Sequence, residues 1–178
     1  MASYGRALRT HLEGLLLGTA GVRTMAVGRF HKPSPDRSAD DTEAPERALE
    51  VVLSPGTPLV PVNSLDDFAF YRHRVVVRVR YLLTRAGGDM AEGLTEQDGS
   101  STLEDVRDRA VTDASDIARV LIYHDNRAPL SASPLEILVI AQDGEPDEPT
   151  PAAGSTVAIL EVPFHVDVQA SLTSAFAP

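Results

Sequence analysis

The sequence predicts an α+β domain: a mostly antiparallel sheet with long strands and two helices packed on its apolar face. Three observations predict it. Residues 68–84 and 156–170 alternate apolar and polar side chains over lengths well beyond an ordinary strand. Residues 2–17 and 102–124 instead repeat apolar side chains with helical spacing. The strands also cluster between the two helices, which is not the one-to-one alternation of a parallel βαβ protein.

The first helix carries Tyr4, Ala7, Leu8, His11, Leu12, Leu15 and Leu16 on one face, with Ser3 placed to cap its start and Gly18 to end it. "VRTMAVGRF" (22–30) reads as a short strand. The span 31–67 is loop-dominated, rich in proline and acidic residues up to Glu46. Within it "LEVVLS" is a candidate strand, and "PGTPLVPV" suits only an edge segment or an extended arm, because proline cannot donate to a ladder. The long strand 68–84 would reach about 50 Å at ~3.3 Å per residue.

Residues 86–100 form a second loop. The second helix opens on the capping box "STLE" and continues with an apolar stripe of Leu103, Val106, Ala110, Ala114, Ile117 and Leu121. Asn126 can close it, and Pro129 prevents its continuation. "LEILVIAQ" (135–142) is a strand, 143–155 a third polar loop, and 156–170 the last strand. Pro163 in that strand predicts an edge position or a bulge. No repeat is visible, and the chain reads as one domain over 1–178.

Composition narrows the function classes. The chain has no cysteine, which removes disulfides, thiolate catalysis and cysteine-based zinc sites. Its net charge is -10, which disfavours general nucleic-acid binding because phosphate neutralisation needs a basic surface. No apolar run approaches the roughly 20 residues of a membrane helix. The first residues carry Arg6, Arg9 and Glu13 and no continuous apolar core, which reads against a signal peptide.

Against this acidic background, Arg72, Arg74, Arg78 and Arg80 share one face of the long strand. The last strand offers Glu161, His165 and Asp167 on its polar face. Three readings are open. If the two strands are neighbours, these residues are cross-strand ion pairs on a solvated face, each contributing roughly 0.2–1 kcal/mol. If the face is covered by another subunit, the same charges fix the register between protomers. A DNA-facing surface is the third reading, opposed by the acidic remainder. Lys32 is the sole lysine, so almost every cation is a planar, bidentate arginine.

Sharp catalytic motifs are missing: there is no phosphate-binding glycine loop and no nucleophile elbow. His165 and Asp167 have the spacing of two metal ligands but lack a third, so no metal or cofactor is expected. His124 and Asp125 end a helix, where a histidine is favoured by the dipole. His73 falls on the apolar face and reads as a core histidine, and His11 is similar. "GLLLG" (14–18) ends a helix and does not signal a membrane span. No catalytic residue is expected, and the chain reads as a non-enzyme.

One order of elements is familiar. The helix "ALRTHLEGLLLG", the strand "RVVVRVRYLL", the helix "TLEDVRDRAVTDASDIARVL" and the closing strand "VAILEVPFHVDV" together resemble the tail terminator proteins of long-tailed bacteriophages and related tail-like particles. The resemblance is one of pattern and length over nearly the whole chain, and the 31–67 span is longer than the family needs. It implies a structural virion protein, assembled in the host cytoplasm, that forms a homo-hexameric ring at the head-proximal end of the tail tube. Such a ring stops tube polymerisation and contacts the tail tube protein on one side and a neck or head-completion protein on the other. DNA passes through its lumen, and no catalytic residue carries over. On this reading Arg72, Arg74, Arg78, Arg80, Glu161, His165 and Asp167 form the subunit interface, and inverting Arg78 weakens ring assembly more than folding. Two alternatives differ in kind: a head–tail connector or the tube cap of a contractile injection particle, and a small acidic ligand-binding domain or enzyme.

Overall fold

A computed structural model of the chain describes residues 2–19, 47–62, 67–82, 103–127, 135–151 and 157–171. The fold is α+β. Its elements are helix α1 (Ala2–Leu16), strands β1 (Arg47–Leu53), β2 (Thr57–Pro58) and β3 (Phe68–Leu82), helix α2 (Leu103–Ile122) with a 3-10 turn at His124–Arg127, and strands β4 (Leu135–Gln142) and β5 (Val157–Ser171). The strand read at 22–30 and the loop at 86–100 lie outside the described residues. The candidate strand at "LEVVLS" forms as β1.

All strand pairs are antiparallel, in the order β1-β3-β5-β4, with the short β2 continuing the β1 side of β3. The centre is the ladder between β3 and β5, paired from Phe68↔Ser171 to Leu82↔Val157. Alternation along it is strict. Val75, Val77 and Val79 on β3 and Leu160, Val162, Phe164, Val166 and Val168 on β5 are buried, while the residues between them face the other side.

Both helices cover that apolar side. Leu8, Leu12, Leu15 and Leu16 of α1 and Val106, Ile117 and Leu121 of α2 are fully buried and join the sheet residues in one core cluster. α1 begins at Ala2, so Ser3 lies within the helix and does not cap it, and Ser101 and Thr102 of the capping box lie outside the described residues; the helix ends have local causes. Gly18 takes φ 73°, which only glycine adopts freely. There the Thr19 amide donates to the Gly14 carbonyl at 2.7 Å and the Gly18 amide to Leu15 at 3.3 Å, a Schellman ending. At the other helix the buried Asn126 Nδ2 donates to the Val120 carbonyl at 2.8 Å, so the residue expected to close α2 does so through its side chain.

Pro163 sits in an interior strand, against the expectation of an edge, and the register shows why the sheet tolerates it. Pairing with β4 reaches only Gln142↔Phe164. The N and O of one strand residue point the same way, and the Pro163 carbonyl accepts from the Asp143 amide at 2.9 Å. The missing N–H therefore points past the end of β4, where the ladder has already stopped. The bulge in this pair is on β4 instead, between Ile137 and Val139.

Candidate functional site

The helices leave one face of the sheet without cover among the described residues. Strand alternation brings all seven sequence-predicted residues to it. The β3–β5 register sets Arg72 opposite Asp167, Arg74 opposite His165 and Arg78 opposite Glu161, while Arg80 lies opposite Ile159. The arginines and acids are therefore brought together within one chain.

The pairs differ in quality. Arg72 grips Asp167 with two parallel hydrogen bonds, Nε to Oδ1 and Nη2 to Oδ2, both 2.7 Å. This fork-to-fork geometry is the strongest form of the pair. Asp167 is buried on its own strand, next to Val139 of β4 in the ladder. The Arg72 hydrogen bonds hold the Asp167 carboxyl below the usual range, outweighing burial, which pushes it up; the charges of Arg72 and His165 act in the same downward direction. Arg78 Nε donates to Glu161 Oε1 at 2.6 Å, in a more exposed setting. On its other side Arg78 faces Glu50 of β1, so it stands between two carboxylates.

Arg74 and Arg80 have no carboxylate partner among the described residues. The rest of the face is mixed. Val52, Val76 and Pro163 make a partly exposed apolar belt across three strands. Ile159 (41%), Phe68 (48%) and Val139 (37%) are exposed strand residues, and Leu59, Val60 and Val62 are exposed on the arm after β2. The Leu59 amide still donates to the Phe70 carbonyl at 2.9 Å, so the arm leaves the sheet only after that residue.

Two concavities flank the helices. One, of about 660 Å³, lies between α1 and the turn after β1, lined by Tyr4, Arg6, Arg9, Gly56, Tyr71 and His73 among others. The other, of about 560 Å³, lies between α2 and the connector after β4. His73 is buried as expected, and its Nδ1 donates to the Ser54 carbonyl at 2.9 Å, so Nδ1 carries a proton. Its buried Nε2 has no hydrogen-bond partner among the described residues. His11 Nε2 donates to the Asn126 carbonyl at 3.1 Å. The side chain of His124 lies outside the described residues. Among the described residues no three histidines or carboxylates gather as a metal site, and no helix is long and apolar enough to cross a membrane.

Sequence reasoning missed a buried polar anchor. Asp113 of α2 is fully buried, accepts a hydrogen bond from the Tyr81 hydroxyl at 2.8 Å, and lies 3.6 Å from Arg47 Nη1 of β1. The signal was present: Asp113 falls three residues after Ala110 and four before Ile117, on the apolar stripe itself.

Compared with protein-family models, with curated proteins and with solved structures, the chain matches none of them.

Proposed function

We propose that the chain is a structural assembly protein that associates into a closed ring, and that the ring caps the head-proximal end of a tail tube in a long-tailed phage or tail-like particle. The observation that carries this reading is the half-covered sheet. One face is sealed by two helices; the other presents ordered charges, two arginines without carboxylate partners among the described residues, and exposed Ile159, Phe68 and Val139. A face of this kind suits a protein surface whose register is set by charge. The β3–β5 ladder fixes the backbone of Arg74 and Arg80, so both are offered on this face to a neighbouring subunit.

Ring closure follows from symmetry. A contact between two different patches of the same chain is heterologous and closes if its rotation permits. The net charge of -10 suits a lumen through which DNA must slide without adhering. The partners on this reading are the chain itself, the tail tube protein and a neck or head-completion protein.

The test is electron microscopy of particles from a producer lacking this gene. Abnormally long, unjoined tails are expected, because tube growth has lost its stop. Tails of normal length detached from full heads would instead make the chain a head–tail connector. Intact, infectious particles would remove the assembly reading.

A further inference from the structure

We propose that the acidic connector after β4, residues 143–148, of one copy docks into the cleft between α1 and the β1–β2 turn of the next copy. The inference rests on the ring reading and adds, beside the uncovered sheet face, a second contact between neighbouring copies.

The two surfaces are complementary in charge. At the cleft, Arg6 and Arg9 are exposed; Arg6 has no carboxylate partner among the described residues, and Arg9 Nε lies 4.0 Å from Glu13. On the connector, Asp143, Glu145, Asp147 and Glu148 are all exposed. Glu148 is held by Arg107 at 2.6 Å, whereas Glu145 and Asp147 face no cation among the described residues.

Shape and chemistry agree with charge. Tyr4 and Tyr71 stack with ring centroids 5.9 Å apart and form an aromatic wall of the cleft, the surface on which proline-containing segments dock. Pro146 lies exposed between the two unpaired acids. His73 lines the same cleft, its Nε2 buried and without a hydrogen-bond partner among the described residues. A Cβ at Gly56 would lie 2.8 Å from that nitrogen, so this wall of the cleft closes only because residue 56 lacks a side chain.

The connector is also preorganised. Its Asp143 amide donates to the Pro163 carbonyl at 2.9 Å and its Asp147 amide to Glu161 at 3.0 Å, while the Gln142 side chain donates to Gly144 at 3.0 Å. Little ordering remains to be done on binding. Topology makes the contact intermolecular. The cleft lies at the β1–β2 edge and the connector at the β4 edge, with β3 and β5 between them. Three strand spacings of about 4.8 Å separate the two edges. A connector docked in the next copy's cleft leaves one cleft and one connector open at the ends, as head-to-tail growth requires.

The experiment uses two charge-inverted full-length chains, Arg6→Glu/Arg9→Glu and Glu145→Arg/Asp147→Arg, studied by sedimentation and by electron microscopy of rings. All four positions are exposed, and a thermal melt checks that each variant folds. Each variant alone is expected to associate at least tenfold more weakly than the wild type. An equimolar mixture is expected to recover, because every cleft then meets a connector of opposite sign. Rings formed by either variant alone as readily as by the wild type would overturn this contact and leave the ring reading standing. A wild-type chain that stays monomeric in solution and on purified tails would overturn both.

Discussion

Tyr81→Phe removes one hydroxyl and nothing else, at the point where α2 is tied to the sheet. The Asp113 carboxylate is fully buried, and Tyr81 itself is 2% exposed. The lost hydrogen bond is 2.8 Å long and runs to Oδ2, while Arg47 stands on the other oxygen at 3.6 Å. A hydrogen bond to a charged group contributes about 1.5–3 kcal/mol, and a fully buried carboxylate has no water at hand in place of the lost hydroxyl. For a chain of this length each kcal/mol moves Tm by about 2–4 °C. Unfolding followed by circular dichroism should therefore show a loss of about 2 kcal/mol and a fall in Tm of about 4–8 °C. Asp113→Leu combined with Tyr81→Phe should cost less than the sum of the two single changes, because both remove the same hydrogen bond. A Tyr81→Phe chain within about 0.5 kcal/mol of the wild type, the range of ordinary surface changes, would refute the assignment of this hydroxyl as an anchor.

Three further outcomes are expected. Asp167 is held below the usual carboxylate range by Arg72, so its contribution to stability is present above an unfolded value of about 3.9 and is lost as pH falls through the lower folded value. Melting curves of the wild type and Arg72→Met should thus converge as pH drops from neutral into that window; a constant gap would dismiss the pair as the cause. Arg78→Glu places a carboxylate directly between Glu50 and Glu161 and should lower Tm, whereas Arg80→Glu, flanked by Ala48 and Ile159, should leave the melt unchanged and reduce ring assembly. Arg80 is therefore a cleaner assembly probe than Arg78, and equal melting losses in both variants would count against this ordering. Gly56→Ala drives a methyl to 2.7 Å from His73 Cε1 and should destabilise by about 1–3 kcal/mol, relieved in part by His73→Ala; a neutral Gly56→Ala would mean that the turn yields without cost.

Much of the fold was legible because its causes are local. The alternation that marks β3 and β5, the apolar stripes of α1 and α2 and the Gly18 ending are each set within a few residues of chain. So was the polar face carrying Arg72 to Arg80 and Glu161 to Asp167, since strand alternation alone assigns it. Two features were not legible. The role of Asp113 depends on Tyr81 and Arg47, which are distant in sequence, and a lone acid within an apolar stripe reads equally as a flaw in the pattern. The cleft at Gly56 needs α1, β1 and β3 assembled before it exists at all.

The residues by themselves determined which side of each strand faces the core and that acids and arginines share the opposite face. They did not determine which acid meets which arginine. Slipping β3 against β5 by two residues keeps every side chain on its own face and pairs Arg74 with Asp167 and Arg80 with Glu161, again two ion pairs. Surface charges are thus nearly indifferent between the two registers, since exposed pairs contribute so little. The tertiary structure decided: the Tyr81–Asp113 bond and the packing of Phe164 and its buried neighbours against the helices accept only the register in which Arg72 holds Asp167. A close-packed core discriminates between alternatives that a solvated face leaves almost equal in energy.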